Sequence, residues 1–142
     1  MKKVFNKKVM ISLLLLAVVF TPFAYLQAES INFLVSVSYR ELIHLGPEAE
    51  SAVILVEPSD QEENFIIKEE YKSLKNGVPI SYNLEIDKHL ISEDKEYRLH
   101  SVIKAGKSMV WSDIQAIKGS EILSEKEIQV ITKRLPSRLI TF

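Results

Sequence analysis

A two-residue alternation is the feature that most restricts this chain. Ile80, Tyr82, Leu84 and Ile86 alternate with Ser81, Asn83, Glu85 and Asp87. Successive side chains of an extended segment point to opposite faces, so this spacing describes a strand with one buried and one wetted face. The same period runs through Ile31, Phe33, Val35, Val37 and Tyr39, and again through Tyr97, Leu99, Ser101 and Ile103. Three segments of this kind cannot each bury an apolar face alone. They must share a core.

Weaker segments complete the set. Ala52 to Val56, "AVILV", is apolar on both faces and reads as a central buried strand that ends at Glu57-Pro58, since proline cannot donate to a ladder. "FIIKEEY", Phe65 to Tyr71, reads as a rougher strand, with a helix as its alternative. Asn76-Gly77 supplies a turn, and "DKHLISEDKE" is a polar connection in which Leu90 and Ile91 plug one end of the core. Ala105-Gly106-Lys107 turns the chain, Ser108 to Ile117 returns antiparallel, and Glu127 to Lys133 forms a last strand. About seven strands without a long amphipathic helix predict an all-β fold, a small antiparallel β-sandwich with meander or Greek-key connections.

The N-terminus belongs to another class. Lys2, Lys3, Lys7 and Lys8 precede the apolar run Val9 to Phe20, and Thr21-Pro22 breaks it. That run is short for a membrane span, which needs about 20 apolar residues. With small residues at Ala24 and Ala28 it reads as a secretory signal peptide. Leu26 is bulky for a cleavage position, so an uncleaved anchor is the alternative, and the chain is membrane-associated only in that case. The expected organisation is a signal peptide over 1–28, a β-sandwich domain over 29–134 and a tail over 135–142.

Composition removes several function classes. The sequence contains no cysteine, which excludes disulfides, thiolate metal sites and thiol nucleophiles. A formal net charge of -1 does not suit a nucleic-acid surface. "GKS" at Gly106 to Ser108 lacks the earlier glycine and following helix of a phosphate loop, so it reads as a hairpin turn. His44, His89 and His100 have no paired metal-ligand spacing, and the acidic runs around Asp60 and Asp94 lack calcium-loop spacing. No G-x-S-x-G elbow is present. These readings predict no enzyme, no metal and no cofactor.

Two groups remain. "SYRELIHLGPEA", Ser38 to Ala49, concentrates charged and aromatic residues at a strand end, where Arg40 and Glu41 are expected to pair. Exposed pairs of that kind contribute only about 0–1 kcal/mol. Met109, Val110 and Trp111 place bulky apolar groups on both faces of one strand. Either both faces are covered, or part of the group meets a partner. Tyr97, Met109 and Trp111 are the candidate partner-binding residues.

The order of features also carries a resemblance. "SYREL", "LGPEA", a strand closing in "VEPS", then "NGVPISYNLEID" and "EYRLHSVIKAGKSMVWSD" follow one another between Val37 and Ile117. This order resembles the YscW family of type III secretion lipoprotein chaperones, which includes the YbaY-like envelope lipoproteins. The resemblance implies a non-enzymatic β-sandwich of the Gram-negative periplasm that binds an envelope protein, a secretin subunit in the pilotin members. Gly46 stands where that family has its first turn proline, and the lipidated cysteine of its pilotins has no counterpart here. Other readings are a YbaY-like structural envelope protein without a dedicated client, and a periplasmic small-ligand binder using Arg98 and His100.

Overall fold

The computed structural model describes residues 29–136 apart from Glu62, Asn76 and Ser108. The expected signal peptide and most of the expected tail therefore lie outside the described residues. Seven strands are formed: β1 Ser30–Tyr39, β2 Glu50–Glu57, β3 Phe65–Ser73, β4 Ile80–Asp87, β5 Glu96–Ala105, β6 Met109–Lys118 and β7 Ile128–Arg134. A 3-10 turn, Lys88–Leu90, follows β4, and a short helix, α1 (Gly119–Leu123), follows β6.

The period-two residues point where alternation requires. Phe33, Val35 and Val37 of β1, Tyr82 and Leu84 of β4, and Tyr97, Leu99 and Ile103 of β5 are all buried. Burying one such side chain contributes about 1.5–3 kcal/mol, and together they form one core. "AVILV" is not covered evenly: Val53 and Leu55 are buried on the inner face and Ala52 and Ile54 lie half-buried on the outer face, where only Val56, beside Arg98 and past a break in register after Leu55, is buried. Ile91 is buried as a core plug, but neighbouring Leu90 is exposed. Gly106, at a φ of 65°, turns the chain between β5 and β6, whose pairing runs from Glu96–Lys118 to Ala105–Met109.

The topology corrects the expected antiparallel sandwich. The strands form one mixed sheet in the order β3-β2-β5-β6-β7-β1-β4, rolled into a nearly closed barrel. β1 is antiparallel to β4 but parallel to β7, from Val35–Ile128 to Tyr39–Thr132. Alternation reports which face of a strand is buried and is silent on which distant strand lies beside it. Two layers facing one another and one sheet curled on itself give the same pattern.

The two ends of the sheet meet through a side chain. Lys72 of β3 donates from Nζ to the Ser81 carbonyl of β4 at 2.7 Å, lies 4.9 Å from the Tyr82 ring centre and pairs with Glu70 at 3.3 Å. Lys68, Glu70 and Lys72 share the β3 face of the residues paired with Leu55, Val53 and Ser51, which is the inner face. Inward-pointing charge on an edge strand opposes further strand pairing.

The absence of a long helix was expected, and α1 is short, but it has a defined seat. Gly119 N donates to Lys95 O at 2.8 Å, Ser120 N donates to Glu93 O at 3.1 Å, and Ile122 is fully buried. A Cβ at position 119 would lie 1.9 Å from Ser92 O and 2.7 Å from Ser92 C. Backbone atoms at that distance must move. Gly119→Ala is therefore expected to lower unfolding free energy by about 1–3 kcal/mol, measured by urea denaturation, while Gly46→Ala, whose added Cβ meets nothing within 4 Å, should change it much less.

Candidate partner-binding site

The end of β1 converges with the start of β6 and the end of β7. Tyr39 and Trp111 stack with ring centres 5.4 Å apart, and the Tyr39 hydroxyl donates to Ile43 O at 2.8 Å. Trp111 is almost fully buried, so its indole N–H needs an acceptor inside the protein. Glu41 supplies it: Trp111 Nε1 donates to Glu41 Oε1 at 3.1 Å. The second carboxylate oxygen lies 3.6 Å from Arg134 Nη1, and the Arg134 guanidinium carbon is 5.8 Å from the centre of the Trp111 ring. Thr132 Oγ1 donates to Ser38 O at 3.0 Å, fixing β7 against β1.

The expected Arg40–Glu41 pair is replaced by this cluster. Neighbouring residues of an extended chain project to opposite sides. Glu41 turns back over Trp111, and Arg40 points outward.

Above the cluster lies a groove of about 460 Å³ lined by Arg40, Glu41, Ile131, Thr132, Lys133 and Arg134. Its charge is unbalanced. Glu41 is its only carboxylate and already has both oxygens engaged, whereas Arg40 and Lys133 take part in no ion pair among the described residues. A second groove, about 310 Å³, lies across the Tyr39 turn against His44, Leu45 and Pro47. Leu42, in the segment between the two, is fully exposed.

The structure separates the three residues proposed from sequence. Met109 is half-buried, and Trp111, two residues along the same strand, is buried outside the groove's lining and touches two of its lining residues, Glu41 and Arg134. Tyr97 is at the other end of the barrel, fully buried, where its hydroxyl accepts from Ser92 N at 2.7 Å and donates to Leu90 O at 3.4 Å. Sequence reasoning missed Lys133 and Arg134 as partners of the β1 end. Both are basic residues next to one another in the sequence, but nothing local connected them with Glu41.

The convergence needed by a small-ligand site at His100 and Arg98 is not formed. On the outer face of β5, His100 is flanked across the strands by Ile54 and Ile114, and Arg98 by Val56 and Ala116. Burial, and then the Arg98 charge, hold the His100 pKa below its ordinary value. Among the described residues, no three His, Asp or Glu side chains gather in a way that could hold a metal ion.

The described residues form a rolled β-domain with a basic groove at one end. The chain is a member of the YscW family of type III secretion system lipoprotein chaperones, whose family model matches residues 30–131. This is a family of non-enzymatic chaperones. The structure is also similar to an alternative pilotin from the type II secretion system of Vibrio cholerae, with a TM-score of 0.63 and 18% identity over 76% of this chain and 99% of that one. At that identity the likeness describes the fold. No curated protein sequence matches the chain.

Removing the Glu41 carboxylate leaves a buried indole N–H unpaired, a loss of about 1–3 kcal/mol. Glu41→Ala should show it in chemical denaturation, and Glu41→Gln, which keeps an acceptor oxygen, should recover much of it. In a Trp111→Phe background, which has no indole N–H, Glu41→Ala should cost clearly less.

Proposed function

We propose that this protein is an exported, pilotin-like chaperone that works in the Gram-negative periplasm and holds an envelope client, a secretin subunit of a type III secretion system. The observation that carries the reading to a surface is the basic groove at the β1–β6–β7 convergence, within a chain of the lipoprotein-chaperone family. Residues 1–28 serve as the export signal, and residues 29–134 as the client-binding domain. Met109 and Trp111 contribute at this end, Trp111 by supporting Glu41 and Arg134 from below. Tyr97 acts at a distance by holding the far end of the barrel.

Arg40 and Lys133 are two exposed cations without a carboxylate to satisfy them among the described residues. They suit an acidic stretch on the client, whose approach they would also accelerate. The chain has no cysteine, so it holds its client by protein contacts and has no thiol-linked lipid with which to carry it. That separates client protection from lipid-directed transport.

Affinity capture from envelope extracts tests the reading. The wild-type chain should recover a secretin. The double substitution Arg40→Glu, Lys133→Glu should reduce capture about tenfold, equivalent to ~1.4 kcal/mol, with an unchanged melting temperature. Recovery of no envelope protein by the wild type, together with normal secretin assembly in a deletion strain, would support the YbaY-like reading without a client.

A further inference from the structure

The barrel wall is split between β6 and β7. Among the described residues the two strands pair at Trp111–Arg134 and Ser112–Lys133, and just past Arg134 Leu135 N donates to Val110 O at 2.8 Å. Away from that end β6 remains paired with β5 through Lys118, and β7 remains paired with β1 from Ile128. The facing edges, Asp113–Lys118 of β6 and Ile128–Ile131 of β7, therefore diverge without a ladder between them. α1, with its buried Ile122, seats at the wide end. The narrow end is the basic groove.

We infer that the client enters this notch as an extended segment, adding a strand between β6 and β7 and setting an acidic residue or its terminal carboxylate against Arg40 and Lys133. This rests on the client-binding reading above and specifies how the client is held. Three observations favour the occupant. Main-chain groups on a sheet edge accept an added strand, with alternate side chains providing specificity. Ile114 and Ile131 flank the notch on the outer face and are 59% and 38% exposed, apolar surface that such a segment would cover. On the inner face, Ser101 is fully buried, and its hydroxyl has no partner among the described residues; directly across from it on β6 is Asp113, which accepts from Gln115 Nε2 at 3.1 Å. A buried hydroxyl without a partner costs stability, so polar atoms there suit a site that something else completes.

The barrel's other opening is not equivalent. Between β3 and β4, Lys72 occupies the Ser81 carbonyl that an added strand would need, and β3 turns Lys68 and Glu70 inward. Because β6 and β7 are antiparallel, an inserted segment would lie parallel to one neighbour and antiparallel to the other.

The test uses the intact mature chain with overlapping short peptides that tile the secretins of its organism, alongside full-length secretin. Binding peptides should contain acidic residues, and they should slow amide exchange across Asp113–Lys118 and Ile128–Ile131 at least tenfold. Arg40→Glu with Lys133→Glu should weaken binding about tenfold, and Ile114→Lys should weaken it by a similar factor without changing the melting temperature. Secretin binding that protects β3 or β4 instead, or that is unaffected by these substitutions, would overturn the notch and leave the chaperone reading standing. No binding by peptides or by full-length secretin would overturn both.

Discussion

The fold depends on β7, the strand that joins two otherwise separate groups. On one side β1 and β4 are paired; on the other β3, β2, β5 and β6 form a continuous antiparallel run. β7 connects them by a parallel ladder to β1 and two residue pairs to β6. Without a disulfide to brace it, such a short junction needs reinforcement. The Glu41 carboxylate provides it by accepting from Trp111 on β6 while facing Arg134 on β7, with Thr132 bonded to Ser38. Burial holds the halves in contact, and this cluster fixes how they meet.

The same junction produces the candidate site. Directing Glu41 inward leaves Arg40 outside, beside Lys133, without a compensating carboxylate among the described residues. Pairing only two residues of β6 with β7 leaves the remaining edges apart. A stronger joint would have a longer ladder and no notch. The structural economy of the barrel and the proposed client notch thus originate in the same few residues.

The strands and their buried faces were legible because alternation is a local signal. Phe33, Leu84 and Tyr97 all point inward as their spacing requires. The long-range arrangement was not. Ser38 and Thr132 are 94 residues apart, and Trp111 and Glu41 are 70 apart, so no local pattern announces either contact. α1 was illegible because its five residues bury only Gly119 and Ile122, too little for a helical period. Trp111 was singled out for its bulk, but its environment could only come from the fold: its ring belongs to the core, and its N–H explains Glu41. The family resemblance was legible in the order of motifs rather than in any one of them.

The most direct measurement is site-specific photo-crosslinking in living cells, with a photoreactive residue at Ile114 or Ile131 beside the notch and, for comparison, at Asn83 or Glu85 on the outer face of β4. If the notch holds an envelope client, Ile114 and Ile131 give a crosslink to a secretin and the β4 positions do not. Crosslinks to that protein from β4 alone would contradict placement of the client between β6 and β7.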